Sequence, residues 1–291
     1  MDIIGHQKII SNLEKCLAKG VLNHAYLFFG PAHVGKFSVA RELAEKLVGS
    51  AGIANGELLI IAPEIEEIKG KVKKKDIKIE SVRDIQKHLA RTSFFGGVKA
   101  VIIDEAERLT SGAQNALLKT LEEPPANSYI FLVSSDISKL LPTVRSRMEV
   151  KRFGLVADAE IEKMVPPYKV GSEVIFWAMG RPGLAKIMAE DSEELERRKE
   201  ALAELKKIIS SDVNLSLALA EELSKDEAAL VDKIGWWDYV LRTGYTKQFL
   251  HLDILPGKML KFHQNLEKAI GDIRDTNAST RLILENLFLS V

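Results

Sequence analysis

Residues 28–38 read Phe-Phe-Gly-Pro-Ala-His-Val-Gly-Lys-Phe-Ser, and this stretch decides the fold that the sequence predicts. The apolar residues 25–29 predict a buried strand that enters it, and Ala40 and Leu43 lie on the apolar face of a helix predicted to follow it. A strand, a glycine-containing loop and a helix N-terminus together form a common binding site for phosphate. The stretch therefore predicts a phosphate-binding loop in an α/β domain.

The loop keeps some of the residues that such a site needs and lacks another. Gly30 and Gly35 allow the backbone amides to point inward, and Lys36 supplies a positive charge for the outer phosphates. The next residue is normally Ser or Thr, whose hydroxyl holds magnesium, but here it is Phe37. Ser38 lies about 100° further round the helix and is poorly placed to replace it. Three interpretations stay open: a glycine turn with an incidental lysine, a working nucleotide hydrolase, and an inherited loop that no longer supports turnover.

The composition limits the class of protein. At 291 residues the chain is long enough for two domains or three small ones, and 41 basic and 41 acidic side chains give zero formal charge. Any contact with DNA is therefore expected to be local or shared with partners. The single cysteine, Cys16, is predicted to pack in the core, and it argues against a cysteine-rich zinc site. Because neither a signal peptide nor a membrane-spanning run is evident, we expect a cytoplasmic protein.

Two adjacent carboxylates form the second informative feature. Residues 98–103 predict a central strand, and Asp104 and Glu105 follow its end. In a phosphate-loop fold the first of such a pair helps to hold magnesium, and the second polarises the attacking water. Acidic pairs are common at strand ends, but the position of this pair after a phosphate loop makes the prediction more specific.

Polar residues lie between the next two predicted strands. Ser134 and Ser135 come after residues 129–133, where a hydroxyl is placed either to sense a terminal phosphate or to cap the following turn. Arg147 precedes the short strand predicted at residues 149–153. Arginines in such loops are usually solvated, so spacing alone leaves a functional role for Arg147 open.

The remaining patterns complete an α/β domain and a helical region. The sequence predicts helices at residues 6–19 and 111–122 and a third helix that begins at Ser81, where Ser81 and Asp84 have the spacing of a capping box. It also predicts a buried strand at 58–61 and a lysine-rich hairpin tip at 69–76. The lysines of this tip fit either a solvated surface or a weak contact with the phosphate backbone of a nucleic acid. Separately, the helix start at residues 110–114 offers a possible DNA-binding surface. Alternating strands and helices predict a parallel sheet over residues 1–153. Short helices follow at 157–191, interrupted at residues 166–167, then a charged helix at 193–210 and an aromatic core or interface cluster at 236–241.

Several motifs resemble one family. They lie at residues 4–7, 30–36, 104–107, 115–125, 142–147, 180–183 and 280–287. Together they resemble the AAA+ clamp-loader ATPases, most closely subunits of the delta-prime kind, and they run through almost the whole chain in family order. The resemblance implies an AAA+ nucleotide-binding α/β domain at 1–153, a small helical lid at 154–192 and an all-helical collar at 193–291.

The resemblance also implies partners. Five subunits, among them motor subunits and a delta-like wrench, are expected to form a ring that opens the sliding clamp and places it on primed DNA, with no membrane involved. Delta-prime-like subunits often brace this ring and donate an arginine to a neighbouring site. The leading hypothesis is therefore a brace and arginine donor with little ATPase activity of its own. The alternatives are an active ATPase motor and a scaffold whose nucleotide site is purely structural.

Site residues follow from the matched motifs. The resemblance assigns ATP binding to Gly30, Gly35, Lys36, Asp104 and Ser135, with Ser134 as an alternative sensor, water activation to Glu105, and the donated arginine to Arg147. Motor subunits carry a lid arginine where this chain has Gly183. The chain therefore lacks both the magnesium-binding hydroxyl, because residue 37 is Phe, and the lid arginine. ATP and magnesium binding are expected to be weak or absent. The four-cysteine zinc module of many relatives is missing, and no metal is carried over.

Overall fold

The computed structural model describes residues 3–68, 71–91, 97–163, 171–243, 256–275 and 278–290. The chain forms two compact units, Met1–Lys186 and Ile187–Val291. The first is an α/β unit and the second is helical, as the sequence predicts. The finer division into three domains at residues 153 and 192 stays a prediction.

A parallel sheet organises the first unit. Its strands are β1 (Ala25–Phe29), β2 (Leu58–Ile61), β5 (Lys99–Ile103), β6 (Ser128–Ser134) and β7 (Glu149–Arg152), in the order β2-β5-β6-β1-β7. Every neighbouring pair is parallel. Because both faces of the central strands are covered, β5 is buried along its whole length, as its continuous apolar run requires.

Helices cover the two faces of this sheet. In the first unit they are α1 (Gln7–Ala18), α2 (Lys36–Ala54), α3 (Ile79–Ala90), α4 (Ser111–Glu122), α5 (Pro142–Arg145), α6 (Asp158–Glu162), α7 (Ser172–Ala178) and the start of α8 (Pro182–Glu190). One apolar cluster joins α3 and α4 to the sheet through Ile85 and Leu117. The other joins α1 and α2 through Leu13 and Leu43. Cys16, which was predicted to pack in the core, is only half-buried on α1.

The prediction of a buried strand at residues 58–61 was only half right. The strand forms with the predicted bounds, but Ile60 is 40% exposed. The reason is position: β2 is one of the two edge strands and pairs only with β5 in this sheet. Its apolar run reads like that of a central strand, and the sequence does not reveal which strand ends up at the edge.

The predicted capping box at Ser81 was wrong. Helix α3 begins at Ile79, with Lys78 as its N-cap, so Ser81 lies inside the first turn. Tertiary contacts set this start, because Ile77 is held as an extended bridge against Leu109. The Ile77 amide donates to the Arg108 carbonyl at 2.9 Å, and the chain turns into the helix directly after this bridge.

The lysine-rich segment belongs to a hairpin, but most of it is strand rather than tip. Strands β3 (Ile65–Ile68) and β4 (Lys71–Lys74) pair antiparallel, so residues 71–74 of the tip predicted at 69–76 lie in β4. Residues 69 and 70 lie outside the described residues. Lys75, just after β4, lies 3.6 Å from Glu64 and 3.5 Å from Glu66. Acidic residues of the same hairpin thus offset part of its positive charge.

The second unit is made of helices only among its described residues. They are α9 (Ser192–Ser210), α10 (Val213–Leu223), α11 (Glu227–Thr243), α12 (Pro256–Asp275) and α13 (Thr280–Phe288). Trp237 is fully buried, and its Nε1 donates to the Ala201 carbonyl at 2.6 Å. The predicted aromatic cluster is therefore core at this residue. The break predicted at residues 166–167 lies outside the described residues, and over the described ranges no helix is long and apolar enough to cross a membrane.

Candidate functional site

The phosphate-type loop is fixed to the carboxyl edge of the sheet. Gly30 follows β1 with φ of 146°, and its amide donates to the Ser134 carbonyl at 3.2 Å. A Cβ added at Gly30 would lie 2.0 Å from the Phe153 carbonyl oxygen, so only glycine fits here. The loop's first glycine is required by this close approach of two backbone segments.

The lysine of the loop is buried and satisfied by the loop itself. Lys36 is 5% exposed and begins α2. Its Nζ donates to the Gly30 carbonyl at 2.7 Å and to the Pro31 carbonyl at 2.6 Å. Burial lowers the pKa of Lys36, while the charges of Glu107 and Asp104 oppose this shift. A phosphate would have to compete with these carbonyls for the ammonium group.

The start of helix α8 closes directly on the loop. The Gly183 amide donates to the His33 carbonyl at 2.8 Å, and a Cβ at residue 183 would lie 2.9 Å from the same oxygen. The loop residue His33 has a left-handed backbone with φ of 62°. An arginine at position 183, which the resemblance assigns to motor subunits, would therefore require α8 or the loop to move.

A histidine of the N-terminal motif contacts the loop at a different residue. The His6 Nε2 lies 3.1 Å from the Val34 carbonyl, and the ring packs edge-on against Phe153. Burial lowers the pKa of His6. The motif at residues 4–7 thus helps to hold the loop in place.

Asp104 lies at the predicted position beside the loop. It directly follows β5, and burial raises its pKa, with the charges of Glu105 and Glu107 adding to the effect and that of Lys36 opposing it. Its Oδ1 accepts from the Glu105 amide at 2.9 Å. The structure therefore brings the lysine and the first carboxylate within electrostatic reach of each other.

Glu105 is paired with one cation of its own segment and one of the hairpin. Its backbone is left-handed, with φ of 48°. The Arg108 Nε lies 3.0 Å from one carboxylate oxygen, and Lys74 at the end of β4 forms an ion pair with the other. A general base must keep a free oxygen near the attacking water. In this arrangement both oxygens of the predicted water-activating group are in ion pairs.

The two candidate sensor serines have different partners. The Ser134 hydroxyl donates to the Asp136 carbonyl at 3.1 Å and accepts from the Asp136 amide at 3.2 Å, which fits the capping interpretation. The Ser135 hydroxyl and amide both contact the Glu107 carboxylate. The charge of Glu107 reaches Lys36, so Ser135 belongs to the polar group around the loop.

Arg147 lies at the surface, directly after the short helix α5 and Ser146. Its side chain is 34% exposed. The Nε donates to Glu122 at 2.8 Å, and Nη1 donates to the Thr143 carbonyl at 2.9 Å. Glu122 is the last residue of α4 and is itself 49% exposed. The guanidinium is thus oriented by groups that remain open to solvent.

Gln114 supports this segment, whereas the sequence pointed to it only as the end of the possible DNA surface at residues 110–114. Gln114 on α4 is 3% exposed, and its amide donates to the carbonyls of Leu109 at 3.1 Å and Lys139 at 3.0 Å. Its oxygen accepts from the Leu141 amide at 2.7 Å, directly before α5. A polar residue between the buried Ala113 and Leu117 was the only available signal, and it does not identify the partners.

Residues 5–156 match the protein family described as "DNA polymerase III, delta subunit", which is more than half of the chain. The chain belongs to this family. The resemblance to AAA+ clamp-loader subunits is thereby confirmed. The match spans the sheet, the phosphate-type loop and the Arg147 segment.

Individual relatives agree with this family. The chain is 36% identical over 134 residues to DNA polymerase III subunit delta' of Pseudomonas aeruginosa, covering 43% of this chain and 41% of that protein. It is 32% identical over 174 residues to DNA polymerase III subunit gamma of Buchnera aphidicola, covering 56% and 47%. It is 33% identical over 165 residues to the replication factor C small subunit of Natronomonas pharaonis, also covering 56% and 47%. The matched region spans less than half the length of each of these relatives.

Solved structures support the same fold. The Thermotoga maritima RuvB Holliday junction branch migration motor matches with a TM-score of 0.52 at 18% identity, covering 83% of this chain and 89% of that one. A point variant of the same RuvB protein matches with a TM-score of 0.53 over the same shares of the two chains. At this identity the likeness establishes the AAA+ fold alone.

Proposed function

We propose that this member of the DNA polymerase III delta subunit family is a clamp-loader subunit that braces its complex and donates Arg147 to a neighbouring nucleotide site. Its own ATPase activity is weak or absent. The observation that carries the proposal is a contrast: Arg147 is surface-exposed, whereas Lys36 is buried and bonded to its own loop. An arginine supplied in trans stabilises the charge on a transferring phosphoryl group and needs no competent site in its own subunit.

The residues of the phosphate-type loop fit ATP only in part. Gly30, Gly35 and Lys36 are the groups that would hold its phosphates, and Asp104 would hold the magnesium ion that neutralises their charge. Phe37 cannot supply the metal-binding hydroxyl, and a Cβ at Gly183 meets the loop backbone at 2.9 Å. Glu105 is paired with Lys74 and Arg108. These features favour weak binding without efficient turnover.

The assembly that we propose is the one that the resemblance to clamp-loader subunits implies. Other clamp-loader subunits, including gamma-like motor subunits and a delta-like wrench, complete a five-subunit ring. This ring acts in the cytoplasm on the sliding clamp and primed DNA. The division into an AAA+ domain, a lid and a collar at residues 1–153, 154–192 and 193–291 is part of the same proposal. Ser135 is the proposed phosphate sensor of the vestigial site.

The test is ATP turnover by the motor subunit in the reconstituted complex. We expect Arg147→Ala to lower DNA-stimulated turnover at the neighbouring nucleotide site by about 10³-fold or more, the range measured for arginine fingers. Arg145→Ala is the matched control, since it removes an arginine from the same short segment, and turnover should stay within about twofold of wild type. Assembly is measured in parallel by size-exclusion chromatography. Unchanged turnover of a fully assembled Arg147→Ala complex would exclude the donor role and favour a scaffold.

The second candidate function is an ATPase motor, which the presence of Lys36, Asp104 and Glu105 favours. The purified chain would then release phosphate steadily on its own, and Lys36→Ala would abolish the release. We expect instead no release above background in either protein. Steady phosphate release that depends on Lys36 would contradict the brace proposal and support an ATPase motor instead.

A further inference from the structure

A cluster of four ionisable side chains joins helices α11 and α12 in the second unit. Asp238 and Arg242 lie one turn apart on α11, and His263 and Glu267 lie one turn apart on α12. Residues four apart share one helix face, so each helix presents its pair together. The buried Phe262 and neighbouring apolar residues of α12 hold the backbone beneath the cluster in place.

Three ligand atoms converge in this cluster. A carboxylate oxygen of Asp238, the imidazole of His263 and a carboxylate oxygen of Glu267 offer atoms that all lie within 4.8 Å of one another. Imidazole nitrogen and carboxylate oxygen are ligands that zinc binds in proteins, at about 2.0–2.2 Å. The Glu267 side chain is 51% exposed, so its rotation can bring the third ligand closer.

The cluster already holds a positive charge, which is the guanidinium of Arg242. The Arg242 Nη2 lies 2.6 Å from Glu267, and its Nε lies 3.0 Å from Asp238. This side chain is 55% exposed, and exposed ion pairs contribute little net stability because water and salt screen them. Arg242 is therefore a cation that a stronger ligand-binding cation can displace into solvent.

His263 and Asp238 face the same cation. The Arg242 Nε–H donates to the His263 Nε2 at 3.1 Å and to the Asp238 Oδ1 at 3.2 Å, so the histidine nitrogen presents its lone pair to the guanidinium. The two acceptors lie 3.0 Å apart. A metal ion in the place of the guanidinium would meet the same lone pair and both carboxylates.

We propose that Asp238, His263 and Glu267 form a binding site for a first-row divalent cation of the zinc class, with Arg242 as the competing internal cation. The ion links α11 to α12 through three protein ligands and leaves its fourth position to water. The site lies in the unit that does not contain the phosphate-type loop, and it does not depend on the proposed function.

The test uses the full chain, titrated with zinc chloride and followed by calorimetry and by thermal unfolding. We expect one equivalent of zinc to bind and to raise the unfolding midpoint. His263→Ala should weaken binding at least tenfold. Two controls should bind as wild type: His24→Gln removes a histidine from the other unit, and Glu221→Gln removes an exposed, ion-paired carboxylate from the same unit.

Arg242→Gln separates a metal site from an ordinary ion-pair network. It removes the competing cation and keeps the three ligands, so we expect zinc to bind about tenfold more tightly than to wild type. A network with no metal role predicts lower stability and no gain in zinc affinity. The proposal is overturned if neither wild type nor Arg242→Gln binds zinc, or if His263→Ala binds it with unchanged affinity.

Discussion

The phosphate-type loop and the segment that carries Arg147 each contain a cationic residue of a family motif, but the two side chains differ in burial and in their partners. Lys36 is 5% exposed and donates to carbonyls of its own loop. Arg147 is 34% exposed and pairs with the exposed Glu122. Releasing the lysine to a ligand requires the loop to give up internal hydrogen bonds. Releasing the arginine breaks a solvent-exposed ion pair, which costs about 1 kcal/mol or less, and one exposed hydrogen bond to the Thr143 carbonyl.

A motif residue can thus be present in the sequence without being available to a ligand. From the sequence alone, a functional role is better supported for Lys36, because its loop has a specific signature. From the contacts in the structure, a functional role is better supported for Arg147. Two variants each disturb one of the two regions, and a third tests the charge beside the loop.

The largest effect on stability is expected from Gly30→Ala, which disturbs the phosphate-type loop. The new Cβ would lie 2.0 Å from the Phe153 carbonyl, at a φ of 146°. Overpacking and backbone strain together should cost about 3 kcal/mol or more of unfolding free energy. Urea denaturation of the full chain measures this cost.

Gly20→Ala is the matched control for that variant. Gly20 also has a positive φ, of 65°, but among the described residues nothing lies within 4 Å of an added Cβ. Only the backbone penalty of about 1–2 kcal/mol then applies. Equal losses from the two variants would show that the contact with Phe153 does not hold the loop closed.

A smaller effect is expected from Gln114→Met, which disturbs the arginine region. The variant keeps the size of the side chain but leaves the Leu109 and Lys139 carbonyls and the Leu141 amide without their partner. Each buried unsatisfied group costs about 1–3 kcal/mol, partly relieved by relaxation, so we expect a total loss of about 2–3 kcal/mol. Turnover by the neighbouring motor subunit should also fall, because the segment before α5 loses its support.

Gln86→Met controls for the loss of a glutamine amide on a helix. The Gln86 side chain donates a hydrogen bond to the Ala116 carbonyl at 3.0 Å. Its loss should cost about 1 kcal/mol and leave turnover by the motor unchanged. If both glutamine variants lowered turnover equally, Gln114 would have no specific connection to Arg147.

Much of the fold could be predicted from the sequence, because local patterns determine it. The strand before the loop and the helix at Ser111–Glu122 have the predicted bounds, since apolar period and flanking turn residues both mark them. Edge position and helix starts depend on tertiary contacts. This is why Ile60 of β2 is exposed although its apolar run predicts burial, and why α3 starts at Ile79 after the Ile77 bridge rather than at Ser81.

The candidate site was predictable in residue identity but not in pairing. The motifs located Lys36, Asp104 and Arg147, yet they gave no indication that Lys74 of the hairpin pairs with Glu105. Such pairs join residues far apart in the chain, and charge patterns do not specify them. The ligands on α11 and α12 could not be predicted for the same reason, because ligands from two helices leave no fixed spacing in the sequence.

The smallest effect is expected from Asp104→Asn, which tests the charge beside the closed loop. Burial raises the pKa of Asp104 above 3.8, so the folded state favours the neutral acid, and the ionised form destabilises the fold once the pH exceeds the raised pKa. Asn keeps an oxygen for the Glu105 amide. We therefore expect a gain of up to about 1 kcal/mol at about pH 7.5, shrinking as the pH falls to about 4.5. Asp84→Asn, at an exposed position, should show little change at either pH. If Asp104→Asn instead destabilised the protein near neutral pH, attraction to Lys36 would outweigh burial, and the loop would retain a charge pair suited to holding a metal-bound phosphate.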